Sequence, residues 1–323
     1  MTQLTKRHML GLLGGTALTA CAPAIPSAQL GDDPFEGGIG GTGIVGLMTG
    51  SGSVLINGLR VEVTPATRIF AANNRVSDSV LVPGRTLTLL ARARLGRFEA
   101  RRIDIDDPLT GVLLRQGPGY SVNSTPVPGL SDAAARRVGE RVTVSGLWQA
   151  DGTVRNSLLQ SAVSDVDVVS GVLAGSSADG WRVGRTPITP PNGQSLIAGQ
   201  FVVAKGQFTH GTLQVTTLRF GRFREGGNTL RQLAVEGYLE TVDTAPGFRL
   251  AGLGHSFDQR LQLGGFAQDR AIYFGPYTGR FVARRAVLVP DAQGQRASLL
   301  RPADGKNSAA ALSGDRARTV PTR

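Results

Sequence analysis

The 323 residues carry a formal charge of +11, one cysteine, 44 glycines and only 6% aromatic side chains. A single cysteine leaves no internal disulfide, so a chain of this length must be held by packing, in one large or several small domains. The 35 basic residues form no dense tract and have no aromatic platforms interleaved with them, which excludes the stacking groove that single-stranded nucleic acid requires; no nucleic-acid partner is expected.

In chain order, the first element is an export signal. Lys6 and Arg7 precede a mostly apolar run, Met9–Ala20, shorter than the roughly 20 apolar residues that span a bilayer. A basic start, a short apolar stretch and small residues at its end make a secretory signal. Leu18–Cys21 reads LTAC and resembles the bacterial lipoprotein processing box. That resemblance implies a signal peptide over 1–20 and a lipidated (palmitate-bearing) Cys21 as the first mature residue. The alternative is an ordinary secretory signal cut near Ala24 or Ala28, and Lys6-Arg7 is a partial match to a twin-arginine signal. Ala22, where the same family of signals uses aspartate for inner-membrane retention, implies the outer membrane. The expected location is lipid-anchored there, with the body facing the periplasm.

Residues 21–42 read as a flexible glycine-rich linker. Gly41–Gly46 (GTGIVG) matches the dinucleotide fingerprint GxGxxG. That device needs a preceding strand and a following helix, and here DDPFEGGIG precedes and LMTGSGSVLING follows. A flexible approach to the first folded unit is expected, with no cofactor.

The body is a repeat. Gly46-Leu-Met48, Gly111-Val-Leu113, Gly171-Val-Leu173 and Gly237-Tyr-Leu239 open four segments at separations of 65, 60 and 66 residues. A second apolar run follows each opener: SVLING at Ser53–Gly58, YSVN at Tyr120–Asn123, WRVG at Trp181–Gly184 and FRLAG at Phe248–Gly252. Three copies continue with GRTLTLLAR from Gly84, GERVTVSGLW from Gly139 and GQFVVAKGQF from Gly199. In these copies a closing strand opens 12, 13 and 12 residues later, at Gly96, Gly152 and Gly211. The fourth copy closes with GRFVARRAVLV from Gly279, and its penultimate strand is expected at Arg270–Phe274. Alternation of apolar residues between glycines predicts strands. Only Asp132–Val138, after Ser131 as a possible cap, reads as a two-turn helix.

The expected fold class is therefore all-β. Four tandem β-barrel repeats, at 43–106, 107–167, 168–233 and a divergent 234–290, form a rigid or semi-rigid row, since closing each sheet would remove its edges. The alternative is a pair of larger sandwiches. Residues 291–323 read as a disordered basic tail.

The openers GIVGLMTGSGSVLINGLRVEV, GVLLRQGPGYSVNSTPV and GVLAGSSADGWRVGRTPI, with GxxVxVxG as in Gly139–Gly146, resemble a bacterial family known only as a domain of unknown function, number 5666, that occurs in tandem in exported proteins. The resemblance covers roughly 43–290 and implies small OB-like barrels. It implies no catalytic residue.

Chemistry-bearing residues are few. His210 and His255 are the only histidines of the mature chain, without HExxH or a Cys/His cluster, so no metal site is expected. In IDIDDP, Asp104 and Asp106 share a strand face and, with Asp107, could supply oxygen ligands for calcium; the expectation is a solvated turn between units. No GxSxG or triad is present, and Glu236 and Glu240 flank a strand opener, so no catalytic residue is named. Asn123-Ser-Thr125 matches a glycosylation sequon by chance. The aromatics, among them Trp148, Trp181, Tyr120, Phe208, Phe220, Phe223 and Phe281, are expected in cores, with Tyr273 and Tyr277 around a loop.

GRFEARR at Gly96–Arg102 and GRFVARR at Gly279–Arg285 put three arginines in seven residues. Alternation turns Phe98, Ala100, Phe281 and Ala283 inward and Arg97, Arg101, Arg280 and Arg284 outward, with a bulge or strand end at Arg102 and Arg285. These four arginines, with Tyr120 and Trp181, are the candidate ligand-facing residues. The function expected is that of a noncatalytic envelope lipoprotein acting as an interaction or scaffolding module, on another envelope protein or an anionic polysaccharide. The alternatives are a carbohydrate- or anionic-lipid-binding module, or a hydrolase with carboxylates at a repeat junction.

Overall fold

The computed structural model describes residues 41–72, 74–94, 97–223, 229–241, 248–253, 270–277, 281, 283 and 285–289. The fold over these residues is all-β. In the first group, β1 (Gly41–Gly50), β2 (Val54–Ile56), β3 (Leu59–Glu62), β4 (Arg68–Ala71), β5 (Asn74–Arg75), β6 (Thr86–Arg94) and β7 (Arg97–Ile105) follow one another. β1-β2-β3-β7-β6 closes back on β1 as a small barrel. Its ladders are antiparallel except β3–β7, which is parallel with Val61 opposite Phe98. β4 extends the wall along the second half of β7, and β5 pairs with β4.

The second group is β8 (Leu109–Gln116), β9 (Gly119–Val122), β10 (Thr125–Pro126), β11 (Arg141–Trp148) and β12 (Val154–Ser161). It runs β10-β9-β8-β11-β12, and the Asn156 N–H donates to Pro128 O at 3.0 Å across the remaining seam. The third group repeats the ring of the first. β13 (Asp167–Ser176), β14 (Gly180–Val183), β15 (Thr186–Thr189), β17 (Thr212–Phe220) and β16 (Phe201–Thr209) close on β13, again with one parallel pair, β15–β17. The fourth has β18 (Leu230–Thr241) between β19 (Phe248–Leu250) and β20 (Arg270–Pro276), and β21 (Arg285–Leu288) beyond β20.

The repeated motifs are explained by one recurring hydrogen bond. The leading glycines Gly84, Gly139 and Gly199 sit at φ of +92°, +90° and +88°, a region open to glycine at no steric cost. Each donates its N–H at 2.8 Å to the last residue of its opener: Met48, Leu113 and Leu173. Seven residues on, Ala91, Gly146 and Gly206 face a bulge in the closing strand, whose extra residues are Arg101, Ser157 and Thr216. A Cβ at Gly146 would lie 2.2 Å from Arg155 O, and one at Gly206 would lie 1.8 Å from Gln214 O. The last glycine of GxxVxVxG is thus a close-approach position.

The groups do not form a simple row. β1 pairs in parallel with β18, joining first and fourth in an 11-stranded sheet, and β8 pairs antiparallel with β13, joining second and third in a 10-stranded one. Two buried asparagines staple these seams. Asn57 and Asn123 hold left-handed backbone at φ 53° and 50°. Asn57 Nδ2 donates to Val45 O (2.8 Å) and Ala234 O (3.1 Å), and Asn123 Nδ2 to Thr110 O (2.9 Å) and Val168 O (3.3 Å). Each fills the space left by an opener glycine, Gly46 or Gly111, whose Cβ would lie 2.2 Å from the amide oxygen. In the later copies the corresponding turn residues are Gly184 and Ala251, and Trp148 packs against Gly184 and Gly252 instead, donating its indole N–H to Ser170 O at 2.8 Å.

Two local expectations change. Asp132–Arg137 is a 3-10 helix and Ser131 makes no side-chain cap bond; with only six residues to cross the barrel end, burying Ala134, the segment never reaches α-helical length. GTGIVG is extended strand at the start of β1, so the dinucleotide device has neither turn nor helix.

Candidate functional site

The bulge at Arg101 builds the floor of a cleft. Before it, Phe98 and Ala100 point into the barrel; after it, Ile103 and Ile105 do. The phase change turns Arg102, Asp104 and Asp106 away from the barrel interior on one face, where all three are at most 6% exposed. The IDIDDP join is therefore not the solvated turn expected: elements of three groups converge on it and bury most of its side-chain surface.

Each carboxylate there has a charged partner. Arg102 grips Asp104 through two bonds, Nε–Oδ2 at 2.6 Å and Nη2–Oδ1 at 2.8 Å, and its guanidinium lies 4.0 Å from the Phe70 ring centre. Thr88 Oγ1 donates to Asp106 at 2.5 Å, and Arg222, reaching from the third group, donates to Thr88 Oγ1 at 2.9 Å and lies 3.5 Å from Asp106. Asp107 accepts from Ser145 Oγ and sits 3.4 Å from Arg85, which also bonds Gln160. Burial pushes the Asp107 carboxyl above its ordinary value; the Arg85 charge and the Ser145 hydrogen bond oppose the rise, and Asp106 adds to it.

Over this floor lies a cavity of about 570 Å³. Val76 and Val80 come from the first group, Val163 and Val166 from the segment after β12, and Val168 and Val203 from the third. Lys205 closes one side by donating its ammonium to Ala72 O. The volume falls within the roughly 300–1,000 Å³ range of small-ligand pockets. Paired carboxylates make a fixed polar floor; among the described residues no three His, Cys, Asp or Glu side chains converge as metal ligands, so IDIDDP does not assemble the calcium set considered above.

The sequence candidates are scattered. Arg97 is exposed and 3.0 Å from Glu62, and Arg101 is exposed as the bulge residue. Arg280, Arg284 and Cys21 lie outside the described residues, as does His255, although Phe281 and Ala283 are buried as alternation expects. Tyr120 is half-buried with the Arg115 guanidinium 5.9 Å from its ring centre, and Trp181 is half-buried against the same core. Because β8 and β13 run antiparallel, with Leu109 opposite Val169, the hairpins carrying Tyr120 and Trp181 point in opposite directions. The two aromatics do not make one surface. His210 is exposed in its turn. Glu236 and Glu240 face Arg270 (2.9 Å) and Arg249 (2.7 Å) rather than each other. Asn123 is 3% exposed with its amide committed to two carbonyls, which closes the sequon to modification in the folded chain.

Sequence reasoning missed the valine walls, Arg85 and Arg222. The one legible signal was the change of apolar phase in FEARRIDID, which marks the bulge. Comparisons with protein-family models, with curated proteins and with solved structures find no match to this chain.

Proposed function

We propose that the chain is an exported, lipid-anchored envelope protein whose β body is a noncatalytic interaction module, with the cleft at the β7–β8 join as the seat of its partner. The observation that carries this reading is the cleft itself. Its apolar walls come from three strand groups, the second and third joined by a shared ladder and the first tied to them by Thr86 to Gly146, Ser157 to Gly84 and Arg222 to Thr88 hydrogen bonds, so it is preorganised. Its buried acids are neutralised by guanidinium partners, an arrangement suited to a fixed contact surface rather than to moving protons. The two five-strand rings, each with one parallel pair, support tandem OB-like barrels of the domain-of-unknown-function 5666 type, and four such repeats is the count we favour. Cys21 carries the anchor, placing the body at the outer membrane, facing the periplasm. The partner class is another envelope protein or an anionic polysaccharide.

The test is affinity capture from a solubilised envelope fraction with the mature protein and with Val163→Arg/Val166→Arg. Val163 is fully exposed and Val166 only partly buried, so the double variant should fold. A reproducible partner lost at least tenfold in the variant supports the cleft. Equal capture removes the cleft from the proposal, and no partner across a range of salt removes the interaction reading. Labelling with radioactive palmitate addresses the anchor separately: an unlabelled wild-type chain would refute it.

A further inference from the structure

A second recess lies where the second, third and fourth strand groups meet. Its cavity is about 180 Å³. The β11–β12 turn supplies Gln149, Asp151 and Gly152; β13 and β14 supply Val172, Ala174 and Arg182; β18 and β19 supply Glu240 and Arg249. Trp148, Arg185, Ala251 and Gly252 also line it.

Three arginines and two acids line the recess, leaving one net positive charge. Arg249 is held by Glu240 at 2.7 and 3.2 Å. Arg185 is held by Asp151, at 3.5 Å from its carboxylate and 3.0 Å from its carbonyl. Arg182, exposed on β14, has no carboxylate partner among the described residues. Its planar fork is suited to bidentate capture of a carboxylate or phosphate. Trp181 alternates to the opposite face of β14 and packs on the core, so it is Trp148 that borders the recess.

We propose that this recess binds a single anionic sugar residue, its carboxylate or phosphate on Arg182 and its ring over Val172, Ala174 and Ala251. Three features narrow the ligand. The volume is below the range of drug-sized pockets, roughly 300–1,000 Å³, and suits one ring. The unneutralised guanidinium selects an anion. Apolar Val172, Ala174 and Ala251 beside polar Gln149 in the lining match the two-sided character of a sugar, with C–H groups on one face and hydroxyls at the edge. The site is separate from the valine-walled cleft and stands or falls independently of it.

The chain has two tryptophans. Trp148 lines the recess and Trp181 adjoins Arg182, so intrinsic fluorescence reports occupancy without a label. The mature protein is titrated with glucuronate, glucose 6-phosphate, inorganic phosphate and glucose, and with vesicles containing phosphatidylglycerol. A saturable change half-complete at about 1 mM is expected for glucuronate or for the sugar phosphate, the range open to one charge-assisted contact plus a small apolar face. Glucuronate alone identifies a carboxylate source, glucose 6-phosphate alone a phosphate source. Arg182→Gln should weaken binding about tenfold or more, the size of one charged hydrogen-bond pair, while Arg75→Gln, exposed on β5 of the first group, should leave it unchanged. The proposal is overturned by no saturable change with either anionic sugar, by equal binding of glucose or of inorganic phosphate, by binding to vesicles alone, or by an Arg182→Gln variant that folds and binds as wild type.

Discussion

Replacing Asn123 tests how the two middle strand groups are held together. Its Nδ2 bridges Thr110 O on β8 and Val168 O on β13 at 2.9 and 3.3 Å, and the residue is buried at φ 50°. Loss of two buried hydrogen bonds costs about 1 kcal/mol each net, and more if a carbonyl is left unpaired. Alanine adds the steric cost of left-handed backbone, about 1–2 kcal/mol, which glycine escapes. Asn123→Ala should therefore destabilise by about 3–4 kcal/mol and Asn123→Gly by about 2 kcal/mol. At a urea slope of about 3 kcal/mol per M, these are midpoint shifts of about 1 M and 0.7 M, read by tryptophan fluorescence. A compensating pair sharpens the test. A Cβ at Gly111 would lie 2.2 Å from Asn123 Oδ1, so Gly111→Ala should be severe alone and milder in combination with Asn123→Gly, a coupling seen as non-additivity. If Asn123→Gly is neutral, or if the double variant shows only additive loss, the stapling argument is wrong.

Two further outcomes follow from the same structure. Gly146→Ala forces a methyl against Arg155 O and should cost about 2 kcal/mol or more by thermal unfolding. Ala91→Gly, at the corresponding place in the first barrel, should cost less than about 1 kcal/mol; equal costs would deny the bulge its role. Asp107 has a folded-state pKa raised chiefly by burial. The folded state then holds its proton more tightly than the unfolded state, so its contribution falls as pH rises from the ordinary carboxylate value through the raised one and is flat above. The stability of Asp107→Asn relative to wild type should accordingly increase as pH rises through that window, measured by urea unfolding at successive pH values; a decrease would reverse the assigned sign.

The strand grammar is written in the residues alone. Gly-x-apolar openers and a glycine at positive φ before an alternating run are local requirements of backbone geometry that repeat at readable spacing, and a small residue, Ala91, Gly146 or Gly206, follows seven residues later. The burial of Phe98 and Ala100 and a phase change near Arg102 were legible for the same reason. How the groups meet depends on contacts between residues far apart in the chain. β1 and β18 pair through backbone N–H and C=O groups that every strand carries, so nothing in the residues marks them as partners across nearly 190 positions. Trp148 reads as one more core aromatic until Gly184 and Gly252 are brought against it. The aspartates of IDIDDP read as a solvated turn because charge on a join is normally hydrated. Here Arg222, more than a hundred residues away, and Arg85, from β6's approach, arrive to pair with them. That folds three carboxylates into the floor of a cleft, because burying an ion depends on which partner the rest of the chain delivers rather than on its neighbours in sequence.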